Sequence, residues 1–425
     1  MKIVEGFEAA SRVLSRLGKV PGTGPDEREA SVRGIVEYVR EHGDKALFEY
    51  TEKYDHAKLT GLEVDNEQIS RACCEVEAGL LDSLKTAANR IAAFHQAQVK
   101  VVQTKVKLPG LSQVVRPLDR VGIYVPGGTA SYPSTVLMTA IPARVAGVKE
   151  VILVTPPRPD GTVSPVVLAA ALLSGVDRVF AVGGAQAIAA LAYGTESIPQ
   201  VDKICGPGNI FVTIAKKLVY GVVGIDGLAG PSEVLILADK GANPAYCASD
   251  ILAQAEHDAM ASAILVTDSM QLAVDVKQEV EDELDTLPRR EIAVRSLESN
   301  GVIAVVDSPE EMIELANAYS PEHLCLMVSK PAPYLKFLRN AGCIITGKKA
   351  TVVIGDYVAG PSHVLPTGGT ARFSSPLNVL DFIKLTNIID VDEADIQALG
   401  PAARTIAEAE GFGAHAAAVQ QRLDE

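Results

Sequence analysis

The sequence predicts an α/β protein with two doubly wound domains, each a parallel sheet covered by helices on both faces. Three observations predict this class. Short β-rich runs alternate with helical segments from about residue 120 to about residue 349, glycine-containing turns follow many of these runs, and apolar residues make up 48% of the 425 residues. Parallel strands need crossover connections, which are usually helices. A chain of this length and apolar content can bury two or three cores.

Composition limits the classes of function. The net charge of -14 repels a nucleic-acid backbone, so no nucleic-acid partner is expected. The first residues lack an uninterrupted apolar core of a signal peptide, and no stretch reaches the roughly 18 apolar residues that span a bilayer. We therefore expect a soluble cytoplasmic protein without a membrane partner. The six cysteines form no CxxC pair, so neither a disulfide framework nor a cysteine-type zinc site is indicated.

The N-terminal region is predicted to be helical. An amphipathic pattern near residues 5–17 is ended by PGTGP, which predicts a short N-terminal helical arm over residues 1–22. Charged helical segments follow up to about residue 100. His42, His56 and His95 lie there among polar neighbours, and we expect them at the surface.

Four strand-to-helix repeats predict the domain at residues 124–233. The β-rich runs VGIYVPGG, VILVTPP, VFAVGG and VDKICGPG are each followed by a helical segment. Ligands bind such sheets at the carboxyl ends of the strands, and small turn residues let backbone approach a phosphate or a ring. No GxGxxG opens a helix here, so the domain is only incompletely Rossmann-like, and its glycines are equally consistent with plain turns. These turn glycines are Gly127, Gly128, Gly183, Gly184, Gly206 and Gly208.

Polar side chains occupy the same turns. Tyr124 could stack on or hydrogen-bond a nucleotide, Gln186 lies where a helix begins, and Asn209 lies at a helix start, where backbone N–H groups favour anions. Each residue alone also has a cap or turn explanation. Their position at neighbouring strand ends favours a nucleotide site.

A second alternating region begins after LAGPSE. We assign residues 23–123 and 234–377 to a first, discontinuous α/β domain and residues 378–425 to a C-terminal helical tail. Both regions alternate β-rich runs with helical segments, which is consistent with an internal duplication.

One helix in this region carries two candidate ligands. Asn243 and Pro244 predict an N-cap and a first helical residue, with the helix running to about Asp258. Gln254 and His257, three residues apart, project together and could contact one small ligand or ion. The alternative is an ordinary solvated flank of the helix. The residues predicted to form its core face are Ala248, Ile251, Leu252, Ala255 and Ala259.

Further histidines and carboxylates lie in positions that often carry function. His323 follows Glu322 where a helix gives way to a strand. His363 follows Asp356 in a long Gly/Pro/Ser-rich loop. Glu410 and His415 flank a glycine-containing break between C-terminal helices. Each histidine could also be an ordinary structural residue.

Together, these stretches resemble the histidinol dehydrogenase family from about residue 30 to about residue 420. The matching blocks occur in the family's order, and their combination is specific. The blocks are YVPGGTASYPSTVLM, GAQAIAALAYGT, VDKICGPGNIFV, GIDGLAGPSEV, QAEHD, SPEHL, GDYVAGPSHVLPTGGTARFSSPL and EGFGAHAAAV. Phe412 stands where the family pattern suggests leucine, a position without an implied role.

The resemblance implies one zinc ion per subunit and a set of site residues. The implied zinc ligands are Gln254, His257, Asp356 and His415. The implied substrate contacts are those four residues together with Ser232, His323, His363 and Glu410. The implied NAD contacts are Tyr124, Gln186 and Asn209. Four protein ligands, one of them an amide, differ from the three ligands and open position of most catalytic zinc sites.

The resemblance also implies the chemistry. It implies oxidation of L-histidinol to L-histidine through L-histidinaldehyde with two NAD, the last step of histidine biosynthesis. His323 would accept the hydroxyl proton, and Glu322 would activate the water that hydrates the aldehyde. The family forms homodimers, in which Glu410 and His415 would be donated in trans to the neighbouring subunit.

Three other functions remain open from the sequence alone. The nearest is a related zinc- and NAD-dependent dehydrogenase for another polar alcohol. A zinc hydrolase could use Glu322 and a metal without a nucleotide, and a nucleotide-binding sensor would need no turnover.

Overall fold

The computed structural model describes residues 1–16, 27–102, 107–127, 131–347 and 349–424. Gly128 and residues 17–22 of the predicted arm lie outside these ranges. The described helices, in chain order, are α1 (Phe7–Leu14), α2 (Glu27–His42), α3 (Asp44–Asp55), α4 (Asn66–Glu75), α5 (Ala78–Val102), α6 (Pro133–Ala146), α7 (Pro165–Ser174), α8 (Gly184–Tyr193), α9 (Ile210–Val219), α10 (Pro244–Ala255), α11 (Met270–Leu284), α12 (Arg290–Asn300), α13 (Pro309–Tyr319), α14 (Pro331–Phe337), α15 (Val352–Tyr357), α16 (Glu393–Ala409) and α17 (Gly413–Leu423). The described strands are β1 (Lys2–Glu5), β2 (Lys107–Leu108), β3 (Leu111–Pro117), β4 (Arg120–Tyr124), β5 (Glu150–Thr155), β6 (Arg178–Ala181), β7 (Lys203–Cys205), β8 (Gly224–Ile225), β9 (Glu233–Ala238), β10 (Ser262–Thr267), β11 (Gly301–Val305), β12 (His323–Met327), β13 (Cys343–Thr346) and β14 (Ile383–Ile389).

Two parallel sheets share one strand order. Six of the described strands form a sheet in the order β1-β11-β10-β9-β12-β13, and five form a sheet in the order β6-β5-β4-β7-β8. Leaving β1 aside, each sheet runs third, second, first, fourth, fifth along the chain, so that the order reverses beside its first strand. The predicted doubly wound α/β class is confirmed, and the repeated order agrees with an internal duplication.

Both sheets are covered by helices on both faces. Alternate residues of β9 point to opposite faces, so Val234 and Ile236 pack under α10, α11 and α12, whereas Leu235 and Leu237 pack under α1, α13 and α14. On the five-stranded sheet, α4 to α7 cover one face and α2, α3, α8 and α9 cover the other. Burial on two faces explains why these strands read as continuous apolar runs.

The chain divides into two compact units. Unit 1 comprises residues 1–99 and 118–382 and contains both parallel sheets. Unit 2 comprises residues 100–117 and 383–425, in which β2, β3 and β14 form an antiparallel sheet. Its helices α16 and α17 pack closely at Gly400. A Cβ built on this glycine would lie only 2.9 Å from Leu423 Cδ2. Among the described helices, none has the length and apolar content needed to cross a membrane.

The N-terminal segment differs from the predicted arm. The helix is present as α1, but β1 precedes it and pairs in parallel with β11. Ala10 and Leu14 of α1 are buried on the six-stranded sheet, so the segment is part of that sheet's layers and is not detached.

Two other predicted groupings also differ from the structure. The sequence pattern grouped residues 23–123 with the six-stranded sheet. In the structure, the apolar faces of the helices in residues 27–102 pack on the five-stranded sheet instead. Residues 120–123 of β4 also lie in the five-stranded sheet together with Tyr124, although the predicted boundary separated them from it. The C-terminal tail contains both predicted helices, preceded by the unpredicted strand β14. The remaining domain boundaries stay predictions.

His95 is a further correction. It is fully buried, and its Nδ1 lies 2.8 Å from the Ile91 carbonyl, because it occupies the same buried face of α5 as Leu84, Ala87 and Ile91. His56 is exposed and His42 is half-buried. The surface prediction is therefore wrong for His95.

Asp55, at the end of α3, provides a test of burial by pH. Its carboxylate is half-buried, no described residue hydrogen-bonds to Oδ2, and burial raises its pKa to about 6. A carboxyl group whose pKa is raised by folding destabilises the folded chain at pH values above that pKa. The destabilisation fades as the pH falls from about 6 to below the pKa of the carboxyl group in the unfolded chain, which is ~3.9. We therefore expect Asp55→Asn to raise Tm at about pH 8 and to leave it unchanged near about pH 3.5. Calorimetric melting against pH measures this.

The matched control is Glu52→Gln, which removes an exposed carboxylate from the same helix. It should leave the pH dependence of Tm unchanged. An Asp55→Asn effect of equal size at both pH values would contradict the assignment.

Candidate functional site

The candidate site lies at the amino edge of the six-stranded sheet. Strands β9 and β12 are parallel neighbours, with His323 in register with Val234. Their first residues therefore lie side by side, although they are far apart in sequence. This register brings Ser232, directly before β9, close to the predicted pair Glu322 and His323.

The backbone of Glu233 holds both predicted catalytic side chains. Its N–H donates to Glu322 Oε2 at 2.7 Å, and its carbonyl oxygen lies 3.2 Å from His323 Nδ1. A carbonyl only accepts hydrogen bonds, so Nδ1 carries a proton in this contact. The remaining ring nitrogen, Nε2, lies 3.0 Å from Asp356 Oδ1.

Burial and charge shift the protonation of this group. Burial raises the pKa of Glu322 to about 7, against the opposing charge of His323 and the hydrogen bond from Glu233. Burial lowers the pKa of His323, but the charge of Glu322 and the hydrogen bond and charge of Asp356 outweigh it and raise the pKa to about 9. Burial alone would raise the pKa of Asp356. The hydrogen bond and charge of His323 have the larger opposite effect, so the pKa of Asp356 lies below its ordinary value.

Asp356 is held in place by a buried carboxylate on α10. Asp250 is 2% exposed, and its Oδ1 accepts a hydrogen bond from Thr351 Oγ1 at 2.5 Å at the start of α15. The backbone N–H of Val352 also hydrogen-bonds to Asp250. Because Asp356 lies on α15, Asp250 links the helix that carries Gln254 to the helix that carries Asp356.

The predicted start of α10 is confirmed, and its predicted end is not. Asn243 Oδ1 caps the helix by accepting from Ala245 N, and Pro244 is the first helical residue. The helix ends at Ala255, so His257 lies in the following turn, where its N–H lies 3.3 Å from the Gln254 carbonyl. Of the five predicted core residues, all but Ala259 are buried.

Gln254 and His257 have different environments. Gln254 is 3% exposed, which does not fit a solvated helix flank, and no described residue hydrogen-bonds to its Nε2. His257 is exposed on the chain surface. The carboxylate of Asp356 acts electrostatically on His257, as it does on His323.

His363 joins the site to the five-stranded sheet's layers. Its Nδ1 lies 2.7 Å from the Asp356 carbonyl oxygen, and its Nε2 lies 3.3 Å from Thr135 Oγ1 on α6. Burial lowers its pKa, so the neutral imidazole is favoured at neutral pH.

The structure brings part of the predicted metal set together. Within the described ranges, no three His, Cys, Asp or Glu side chains converge in a metal-binding arrangement. Gln254, His257 and Asp356 nevertheless lie at one end of α10 and α15, and an amide, an imidazole and a carboxylate are suitable donors for a divalent ion. The buried Nε2 group of Gln254, which donates to no described residue, fits a polar acceptor, whereas an ion would bind the amide oxygen. Glu410 and His415 are exposed on unit 2, at the end of α16 and on α17.

The predicted nucleotide residues flank the point where the five-stranded sheet reverses its order. Tyr124 and Gln186 are 3% and 2% exposed, and the Tyr124 hydroxyl accepts a hydrogen bond from Gly184 N at 3.2 Å. Burial raises the pKa of Tyr124 to about 12. Asn209 is exposed, and its Oδ1 caps α9 by accepting from Phe211 N and Val212 N. Asn209 is thus the accessible member of the three.

Sequence reasoning missed three residues that organise this site: Glu233, Asp250 and Thr135. Glu233 follows Ser232 directly in the GPSE block, and Asp250 lies one helical turn before Gln254. That spacing on α10 was a usable signal for Asp250. Nothing local in the sequence relates Thr135 to His363.

Comparisons with known proteins identify the family. A family model described as histidinol dehydrogenase matches residues 21–423. A histidinol dehydrogenase of Dehalococcoides mccartyi strain CBDB1 is 57% identical over all of both chains, and one of Bacillus cereus strain ATCC 14579 is 47% identical over 100% of this chain and 99% of its own. The crystal structure of histidinol dehydrogenase from Elizabethkingia anophelis superimposes with a TM-score of 0.93 at 37% identity, covering 100% of this chain and 98% of that one. The chain therefore belongs to the histidinol dehydrogenase family, whose members are NAD-dependent oxidoreductases.

Proposed function

We propose that this chain oxidises L-histidinol to L-histidine through L-histidinaldehyde, using zinc and two NAD in succession, as the last step of histidine biosynthesis. The observation that carries the proposal is the buried Glu322–His323 pair beside Asp356, at the amino edge of β9 and β12. An alcohol becomes a good hydride donor only when its hydroxyl proton leaves, so an adjacent base is required. Oxidation to the acid removes four electrons and also requires one water.

His323 is suited to accept the proton through Nε2. Glu233 fixes the ring from the Nδ1 side, so Nε2 is the free nitrogen apart from its contact with Asp356. In the chain alone, that carboxylate favours the imidazolium form. A divalent cation held by Asp356 would offset the negative charge, and we infer that His323 is then neutral and can act as a base.

Glu322 is suited to activate the water. A pKa of about 7 keeps a carboxylate basic enough to take a proton from water near neutral pH. One oxygen is held by the Glu233 N–H, which orients the group. Ser232 precedes Glu233 in the chain and would contact the substrate, and His363 would do so from the Asp356 side.

The proposed cofactors have separate roles. Zinc would be held by Gln254, His257, Asp356 and His415. It would position the substrate by binding the nitrogen atoms of histidinol. NAD would accept the hydride, with Tyr124, Gln186 and Asn209 as its predicted neighbours. We propose a cytoplasmic location for this chain, and cell fractionation tests it.

The central experiment follows both half-reactions. We expect the purified chain to form two NADH per L-histidine from L-histidinol. His323→Ala should lower NADH formation from alcohol and aldehyde alike by about 10²–10⁴, because it removes the common base. Glu322→Gln should lower aldehyde oxidation by about 10² or more and change alcohol oxidation much less. Stopped-flow absorbance with each substrate measures both steps.

The matched control is His56→Asn, which removes an exposed imidazole outside the site, and asparagine tolerates the positive φ of 56° there. It should keep wild-type rates. Normal aldehyde oxidation by Glu322→Gln would remove the role of Glu322. Formation of only one NADH per L-histidinol consumed would refute the proposed four-electron oxidation.

Metal removal tests the zinc proposal. A strong chelator should inactivate the chain, and added zinc should restore activity. His257→Ala should retain less zinc by elemental analysis than wild type, because it removes an imidazole ligand, whereas His56→Asn should retain the full amount. A metal-free chain with full activity would refute the zinc requirement.

Exchange between subunits tests the proposed homodimer. Several large apolar side chains of unit 2, among them Ile389, Leu399, Ile406 and Phe412, are more than half exposed, which supports a partner there. If Glu410 and His415 act in trans, mixing His257→Ala with His415→Ala chains forms heterodimers with one intact site. We expect activity to return to about a quarter of wild type when chains exchange at random.

Analytical ultracentrifugation of the mixture and of each variant establishes that dimers form and exchange. Each variant alone should stay inactive. No recovery in a mixture that contains heterodimers would place the complete site within one chain.

A further inference from the structure

The loop from Gly206 to Asn209 joins β7 to α9 at the reversal point of the five-stranded sheet. Gly206 has φ of +110°, and a Cβ there would overlap the carbonyl oxygen of Tyr124. Its backbone is therefore packed directly against the end of β4. A side chain at residue 206 would force this loop away from the strand, so the position requires glycine.

Two buried, oppositely charged side chains hold the Gly206 peptide units from both sides. Lys216 Nζ donates to the Gly206 carbonyl oxygen at 3.1 Å, and Gly206 N donates to Asp226 Oδ2 at 2.7 Å. Lys216 Nζ also forms an ion pair with Asp226 Oδ1, which accepts from Gly227 N at 2.8 Å. The two side chains are 3% and 6% exposed.

General stability does not account for a charged pair at this position. Lys216 lies on the buried face of α9 with Val212, Ala215 and Val219, where an apolar residue is the usual choice. Removing two charges from water is costly, and well-packed apolar residues often serve stability equally well. The contacts with Gly206 are what this pair supplies and an apolar pair would not.

The six-stranded sheet offers an internal comparison. Its order reverses between β9 and β12, and at their carboxyl ends Asp239 accepts from Ser329 N at 2.7 Å and from Gly241 N at 2.9 Å. The chain's own carboxylate thus takes the backbone donors at this reversal point. At the five-stranded sheet Asp226 likewise accepts from backbone N–H groups, those of Gly206 and Gly227, but here the carboxylate is paired with the buried Lys216, and Asn209 remains exposed beyond it.

We propose that Lys216 and Asp226 are positioning residues for the dinucleotide, acting through the Gly206–Asn209 loop. This inference rests on the proposed NAD-dependent function. Neither side chain need touch the cofactor, because both act by fixing the Gly206 peptide units between Tyr124 and α9. Loss of this hold should weaken dinucleotide binding and leave histidinol and zinc binding unchanged.

The experiment compares three variants of the full chain. Lys216→Met removes the donor to Gly206, Lys216→Met/Asp226→Asn removes both charges with little change of shape, and Lys217→Met is the matched control on the same helix. Lys217 is about half exposed and pairs with Glu29 at 3.1 Å. Lys216→Met alone leaves the buried Asp226 carboxylate without its ion-pair partner and should lower Tm. The double variant removes that charge but keeps one acceptor oxygen for the Gly206 and Gly227 N–H groups, so it should recover part of that loss.

Four readouts separate positioning from stability. Titration calorimetry with NADH should give a Kd roughly tenfold higher for the double variant, because small displacements of a positioning group are costly. KM for NAD should rise in parallel, while KM for histidinol and zinc content should match wild type. Amide hydrogen exchange of Gly206, Gly208, Asn209 and Ile210 should be faster than in wild type, and Lys217→Met should change none of these quantities.

The outcomes distinguish this inference from the proposed function. A double variant that folds, binds NADH with wild-type Kd and keeps wild-type exchange would overturn the role of Lys216 and Asp226. Equal rises in KM for NAD and histidinol would also overturn it, since they indicate a general structural effect. A wild-type chain that binds NADH but does not oxidise histidinol would overturn the proposed substrate and leave this role standing.

Discussion

The parallel pairing of β9 with β12 is the constraint on which the candidate site depends. It places one peptide group, the backbone of Glu233, where it can bind Glu322 through its N–H and His323 through its carbonyl. The Glu233 side chain is itself held by Arg16 at 2.7 Å and by Gly368 N at 3.2 Å. Arg16 also lies over the Tyr319 ring, so the segment that follows α1 braces the site from the opposite face. A backbone contact of this kind is insensitive to side-chain identity but sensitive to strand register.

Much of the fold could be predicted from local patterns. The continuous apolar runs, the Asn243–Pro244 helix start and the buried faces of the helices follow from short-range periodicity. The strand β1 could not be recognised in the same way, because four residues carry little periodicity and its partner β11 lies about 300 residues away. The packing of α2 to α5 on the five-stranded sheet likewise depends on contacts distant in sequence. His95 was predictable, since it continues the helical spacing of Leu84, Ala87 and Ile91.

In the candidate site, too, local patterns predicted some features and contacts distant in sequence determine the others. Residue types and motif order predicted roles for Glu322, His323, Asp356 and Gln254. The structure brings the first three together and places Gln254 on α10, which Asp250 links to the helix of Asp356. What the sequence could not supply was the arrangement: the anchoring of α15 by Asp250, the contact between Thr135 and His363, and the end of α10 before His257. Each depends on which helix meets which across the fold, and this is decided by packing of whole layers.

The shared strand order of the two sheets has a consequence for how this architecture can diversify. The proposed alcohol site uses the amino edge of one sheet, whereas the proposed dinucleotide site uses the carboxyl edge of the other. Sequence drift in the loops at either edge can therefore change selectivity for one reactant with little effect on the other. At the carboxyl edge of the six-stranded sheet, replacing Asp239 by a small neutral residue would leave the Ser329 and Gly241 N–H groups without their present acceptor, so a single side chain decides whether these backbone donors are occupied.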